Sequence, residues 1–157
     1  MTFSPSELIK LGLIGDNINR SQWPPLHRSA GRLTGLQVTY DRLIPKDMHL
    51  TFDEVFQQAQ HGGFRGINVT SPYKELVTFK VFVPDPLVRA IGAVNTVVFD
   101  AQGPKGFNTD YTGFMHAYRR LRRDQRPGTV CLIGTGGLGK TVAFGLVALG
   151  VKNHPLR

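Results

Sequence analysis

Cysteine is nearly absent from this 157-residue chain: Cys131 stands alone, so no intrachain disulfide framework can form. It sits in an apolar run and reads as a buried small hydrophobe in a reducing compartment. No run approaches the roughly 20 apolar residues that a membrane-crossing helix needs. Met1 to Glu7 lacks the basic-then-apolar order of a secretory leader. The expected location is therefore the cytoplasm, with no membrane partner. Internal repeats and low-complexity tracts are missing too, and no metal ligand set is read from the chain. Acidic residues are scarce: 11 against 19 Lys and Arg, giving a net charge of +8. Such an excess suits nucleic acid, an acidic small molecule or an anionic cofactor. The one dense basic cluster, Arg119-Arg120-Leu121-Arg122-Arg123, falls at the end of a predicted helix, where cations suit the helix dipole. No stacking aromatics are interleaved with it, so nucleic acid is set aside.

What is present is a regular alternation of strand and helix signals. Strands are predicted over 8–14, from Gln37, at 67–69 and over 92–99. Helices are predicted from 26–31, over 47–61, from Tyr73, over 87–91, over 111–123 and over 140–149, with Pro24-Pro25 in a loop. Thr51 and Glu54 have capping-box spacing, and Gly62-Gly63 ends that helix. The continuous apolar run Val130-Cys131-Leu132-Ile133 predicts a strand buried on both faces of a parallel sheet. Alternation of this kind implies an α/β sandwich. The breaker Pro127-Gly128 is the one convincing domain boundary. A single βα unit beyond it cannot bury its own sheet, so a truncated second domain is expected, with a new element starting after Gly150.

The chain is organised around Gly66-Ile67-Asn68-Val69-Thr70-Ser71-Pro72-Tyr73-Lys74. Ile67 and Val69 alternate with Asn68 and Thr70, which predicts a short strand with one polar face. Pro72 has no N–H to donate and stops the ladder. Lys74 is thereby placed just past a strand end, able to lean into a cleft while rigid structure holds its base.

Gly134-Thr135-Gly136-Gly137-Leu138-Gly139 follows the 130–133 run and precedes a helix, as a dinucleotide fingerprint requires. Gly134 makes the turn, Gly136 lets backbone approach a pyrophosphate, and Gly139 permits tight helix packing. The same letters, continued by Lys140-Thr141, satisfy the P-loop pattern, in which Lys140 reaches a phosphate and Thr141 holds Mg²⁺. Spacing alone leaves both open.

Taken together, several stretches in order resemble the shikimate dehydrogenase family, which includes quinate/shikimate dehydrogenases. They are Gly15 through Ser21 to His27, Asn68 to Lys74, Gly92-Ala93-Val94-Asn95-Thr96, Gly106 to Phe114, and the glycine loop. The resemblance implies a three-layer αβα substrate-binding domain over residues 1–126. The start of a Rossmann NAD(P)-binding domain follows over 127–157. It implies NADPH-dependent reduction of 3-dehydroshikimate to shikimate on the route to aromatic amino acids, with NAD as the alternative cofactor. Lys74 and Asp110 match the catalytic pair. Asn68, Thr70 and Asn95 match ligands of the substrate hydroxyls, and Ser21 matches the first of two serines that hold the carboxylate. Gly134, Gly136, Gly137 and Gly139 match the cofactor loop. The implied partner is a small acidic ring compound (shikimate, 3-dehydroshikimate or quinate), bound by a monomer or homodimer. Three alternatives accompany this: a quinate/shikimate-type dehydrogenase, a shikimate-binding module without turnover, and a P-loop protein.

The chain departs from the family pattern at Trp23, where S-x-S-P becomes Ser21-Gln22-Trp23-Pro24. An indole cannot act as a compact carboxylate ligand. A lost hydrogen bond to a charged group is worth roughly 1.5–3 kcal/mol. Either the ring substrate or its turnover differs, or Trp23 turns away and packs on the surface. Lys140-Thr141 also replaces residues that are usually small.

Overall fold

Leu13 and Ile14 are neighbours in β1 (Leu8–Ile14) yet belong to different cores, because successive strand side chains point to opposite faces. The computed structural model describes residues 8–123 and 125–151. On one face Ile14 joins Val55, Phe56, Ile67, Val69, Val77, Val94 and Val97 in the larger core. On the other, Leu13 packs with Ile18, Tyr40 and Ile44.

Five strands form one mixed sheet in the order β2-β1-β3-β4-β5. β2 is Gln37–Leu43, β3 Phe64–Val69, β4 Thr96–Asp100 and β5 Gly103–Phe107. β1 runs parallel to β2 and β3, whereas β3, β4 and β5 are antiparallel in turn. The C-terminal ends of β1, β3 and β5 and the start of β4 therefore share one end of the sheet. Asn68 lies opposite both Leu13 and Thr96, and Thr96 opposite Phe107. Crevices at strand carboxyl ends are where open α/β sheets bind ligands.

α1 (Trp23–Leu33) covers the β2 side of one face, with Gly31 tight against Val38. The other face carries α3 (Phe52–His61), a 3-10 turn at Leu76–Lys80 and α4 (Pro86–Ile91). Pro24-Pro25 lies in the first turn of α1 rather than in a loop, because early helix N–H groups have no partner to lose. The predicted helix over 47–61 is two: α2 (Pro45–Met48) ends at His49 with φ +54°, and Thr51 caps α3 through the expected box with Glu54. Gly92, at φ +66°, closes α4, so β4 begins at Thr96 and not at Gly92. β5 carries no strand signal in the sequence, because its Gly-Pro-Lys composition hides a hairpin edge.

α5 (Thr109–Arg122) and α6 (Gly137–Ala148) pack together, and Gly145 lets the helices close on Phe114 and Met115. The expected strand over Val130–Ile133 is not formed. Cys131 is exposed rather than buried, and Ile133 is 93% exposed. Apolar residues become a buried strand only beside partner strands, and none of the described residues pairs with these. The element expected after Gly150 falls largely on residues 152–157, outside the described ones. No helix among the described residues is long and apolar enough to cross a membrane.

Candidate active site

Beyond Val69 the chain leaves the ladder, and the Tyr73 N–H closes a turn on the Thr70 carbonyl (2.9 Å). The turn is held from both sides: Asp16 N–H donates to the Ser71 carbonyl (3.3 Å) and Val94 N–H to the Lys74 carbonyl (2.8 Å). Tyr73 stacks on Phe52 and donates its hydroxyl to Asp16 (2.6 Å), which also pairs with Lys46 (2.8 Å). Lys46, then Tyr73, hold the Asp16 carboxyl below its ordinary pKa.

Lys74, fixed at its base, meets Asp110 with Nζ 2.6 Å from Oδ2. The two side chains are 17% and 27% exposed, enough shielding to keep the pair defined and enough access for a ligand to reach it. Asp110 stands in the first turn of α5, where the helix N-terminus favours negative charge. Asn95 (6% exposed) fixes that turn. Its Oδ1 accepts from the Thr109 N–H (2.9 Å), and its Nδ2 donates to the Thr109 hydroxyl (3.0 Å). Asn108 caps the helix by accepting from the Tyr111 N–H (3.0 Å). Asn68 accepts from the Tyr40 hydroxyl (2.8 Å) and donates to Thr96 Oγ1 (3.2 Å).

Two cavities open at this end of the sheet. One, of about 640 Å³, is bounded by Thr70, Lys74 and Glu75 on one side and by Gly134, Gly136, Gly137 and Gly139 on the other. The second, about 260 Å³, is lined by Asn17, Ser21, Trp23, Thr70 and Ser71. Thr70 borders both. Lys74, Asp110, Thr70 and the glycine loop are thus brought to one place, with Ser21 beside it. Asn68 and Asn95 sit at the same sheet end, their amides engaged with protein partners.

The glycine loop precedes α6 as its spacing predicts, but without the strand expected before it. Gly134 takes φ +101°, and a Cβ on Gly139 would overlap the Gly134 carbonyl. A Cβ on Gly136 would meet nothing within 4 Å, so that side is open to a close-approaching pyrophosphate. A Cβ on Gly137 would come within 3.1 Å of Lys74 Cβ, so this glycine lets the loop rest on the catalytic candidate. These residues fit a dinucleotide. They fit a P-loop less well: Thr141 is fully buried, donates to the Gly137 carbonyl (2.7 Å) and accepts from Asn108 (2.9 Å). Lys140 is turned to Glu75 (2.6 Å).

Residues 13–97 match the family model described as the shikimate dehydrogenase substrate binding domain. The chain belongs to the shikimate dehydrogenase family. Among relatives, the shikimate dehydrogenase (NADP(+)) of Natronomonas pharaonis is 40% identical over 91% of this chain and 52% of its own length. Quinate dehydrogenase from Corynebacterium glutamicum, solved in complex with NAD, superposes with a TM-score of 0.78 at 33% identity, covering 91% of this chain and 52% of that one. Shikimate 5-dehydrogenase from Thermus thermophilus, in complex with NADP(H) and shikimate, gives 0.72 at 28% identity, covering 91% and 53%. The chain spans about half the length of the relatives it matches.

Within this shikimate dehydrogenase relative, three site features escape sequence reading: the Tyr40 hydroxyl on Asn68, the Lys140–Glu75 pair and the buried Asn108–Thr141 bond. Each joins residues far apart in the chain, and none has a local pattern. Trp23 is 43% exposed. It borders the Ser21 cavity while its ring leans on His27 at 5.4 Å, and His27 stacks on Tyr40 at 4.7 Å.

His27 has a buried Nε2 without a hydrogen-bond partner among the described residues, and burial holds its pKa below the ordinary 6.5. The unfolded chain therefore takes up the proton first, so stability falls as pH drops below about 6.5 and levels off once pH passes the lower folded value. His27→Phe keeps the stack and removes the titration. Urea midpoints measured between about pH 7 and pH 5 should lose most of their slope in this variant; an unchanged slope would assign the acid sensitivity elsewhere.

Proposed function

We propose that this chain supplies the substrate-binding domain (residues 1–126) and the opening of the cofactor domain (127–157) of an NADP-dependent shikimate dehydrogenase. The reaction is the reversible reduction of 3-dehydroshikimate to shikimate. One observation carries the reading: Lys74, paired with Asp110 at 2.6 Å, stands where the strand end and the glycine loop face each other across one cavity.

Reduction of a ring ketone needs a hydride at carbon and a proton at oxygen. The dinucleotide, when bound, supplies the hydride. Lys74 Nζ donates the proton to the developing alkoxide, and its positive charge lowers the cost of negative charge on that oxygen. Asp110, 2.6 Å from Nζ, holds the lysine in place at the reacting oxygen. In the oxidative direction Lys74 takes the hydroxyl proton back. Thr70, Asn68 and Asn95 orient the ring hydroxyls, and the Ser21 hydroxyl binds the carboxylate. Gly134, Gly136, Gly137 and Gly139 hold the pyrophosphate, with NAD as the competing cofactor. A cytoplasmic location accords with the lone thiol of Cys131.

The test is NADPH formation from shikimate and NADP⁺ by residues 1–150 joined to the cofactor half of the Natronomonas pharaonis relative. No turnover with shikimate or quinate would refute the assignment. A second reading, a shikimate-binding module without turnover, is favoured by Trp23 and by the unpaired 130–133 segment. Calorimetry on the 157-residue chain, together with the turnover assay on the joined chain, separates the two: binding with no turnover in any completed form supports the module.

A further inference from the structure

We propose that Lys140 and Glu75 are positioning residues. Their ion pair fixes the glycine loop at a set distance from Lys74, and with it the place where a bound dinucleotide meets the ring that Lys74 protonates. This rests on the shikimate-type reading above and gives a role within it to Lys140, which the dinucleotide fingerprint leaves unused.

Each member of the pair directly follows a functional residue: Glu75 comes after Lys74, and Lys140 after Gly139. Lys140 Nζ lies 2.6 Å from Glu75 Oε2, so the bond runs straight from the helix of the loop to the turn at the strand end. Both bases are fixed. The Glu75 carbonyl accepts from the Thr78 N–H (3.2 Å) and from its hydroxyl (2.6 Å). The Lys140 N–H donates to the Gly136 carbonyl (2.9 Å) in the first turn of α6. Lys140 borders a neighbouring cavity of about 580 Å³, with Arg89 and Gly92, and is not among the residues around the 640 Å³ cavity that the glycine loop faces. Glu75 borders both. The pair therefore stands as a partition beside the dinucleotide side, with the lysine charge engaged by a carboxylate.

The loop needs such a strut because residues 130–133, just before it, form no ladder with any described strand. α6 is set instead by its fastenings to the substrate domain. Gly137 rests on Lys74 and Ala93, where an added Cβ would come within 3.1 and 3.2 Å of their Cβ atoms, and Thr141 accepts from Asn108 (2.9 Å). The Gly137 contact limits how close the loop can come, and the ion pair pulls it down onto that contact. Its side chains are 42% and 43% exposed, so it shifts a local opening equilibrium by only about two- to fivefold. Its effect on hydride transfer is larger, about tenfold, since a misplacement of about 1 Å can cost about a hundredfold.

Amide hydrogen exchange of residues 141–148 in the 157-residue chain reads the fastening with no ligand bound. It is measured in the parent, Lys140→Met, Glu75→Gln, their double variant and Lys140→Arg, with far-ultraviolet dichroism as the check on folding. α6 should exchange about two- to fivefold faster in either single variant, while β3 is unchanged. The double variant should be no faster than Lys140→Met, and Lys140→Arg should match the parent. About 1 M salt, which cuts the screening length to about 3 Å, should speed α6 in the parent and not in the variants; a lysine stem that only packs would not respond. In the joined enzyme described above, kcat should fall about tenfold in both single variants, with the dinucleotide KM within about twofold of the parent. Parent-like exchange of α6 in both folded single variants, a parent indifferent to salt, or faster exchange with unchanged kcat would overturn the proposal. So would a dinucleotide KM raised in Lys140→Met and lowered in Glu75→Gln, which would make Lys140 a phosphate ligand that Glu75 holds back. No turnover of shikimate or quinate by the joined parent refutes the shikimate-type reading itself, and the pair is then a fastening of α6 alone.

Discussion

Lys74→Met is expected to lower turnover of the completed enzyme by about 10³-fold, within the range for loss of a positioned general acid. The side chain keeps its length and packing beneath Gly137, but the proton and the charge at the reacting oxygen are gone. A thousandfold corresponds to roughly 4 kcal/mol of transition-state stabilisation. Calorimetric affinity for shikimate should fall far less than kcat, because charge on that oxygen develops mainly in the transition state. Asp110→Asn should cost on the order of tenfold: its amide oxygen still accepts from Nζ at the 2.6 Å position, without the charge that strengthens such bonds. Because the two groups touch, their losses should not add. The double variant is expected to match Lys74→Met alone, since Asp110 acts through the lysine. Simple multiplication of the two losses would show that Asp110 contacts the substrate independently, and a Lys74→Met enzyme within tenfold of the parent would remove lysine from the chemistry.

How much of this was legible beforehand depended on whether the signal was local. Thr51 and Glu54 predict the cap of α3 because a capping box is a four-residue event. The strand end that carries Lys74 is legible from Asn68-Val69-Thr70 and the stop at Pro72. Gly134 and Gly139 predict the shape of the loop because their conformations and close approach are intrinsic to glycine. The misread segments had context-dependent signals. Val130–Ile133 has the composition of a buried strand, yet a strand is defined by partners, and composition says nothing of whether they are at hand. Pro104 and Lys105 in β5 suppress a strand signal that the hairpin with β4 supplies through pairing. At the site, Lys74 and Asp110 could be paired from their family motifs but not from spacing. Tyr40, 28 residues from Asn68, was invisible as its partner.

Asn108→Ala is the substitution expected to weaken the fold most for the fewest atoms removed. The residue is 6% exposed and uses its whole amide: Nδ2 donates to the Ala93 carbonyl and the Thr141 hydroxyl, both at 2.9 Å, and Oδ1 accepts from the Tyr111 N–H at 3.0 Å. Alanine removes the cap of α5, worth about 1 kcal/mol. It also leaves the carbonyl of buried Ala93 without this donor, at about 1–3 kcal/mol. A total of roughly 2–4 kcal/mol follows, and at about 2–4 °C per kcal/mol for a chain this long the melting point should fall by roughly 5–15 °C. Asn108→Asp separates the two contributions. Aspartate caps a helix as well as asparagine does and suits the dipole. It cannot donate, however, and it sets a carboxylate against the Ala93 carbonyl. If the cap alone mattered, the aspartate variant would melt with the parent. If the amide is the strut that joins the 92–95 segment, α5 and α6, aspartate should melt as low as alanine or lower. In that case the Lys74–Asp110 geometry loosens as well, because Asp110 rides two residues along the helix that Asn108 caps, and shikimate affinity should fall together with the melting point.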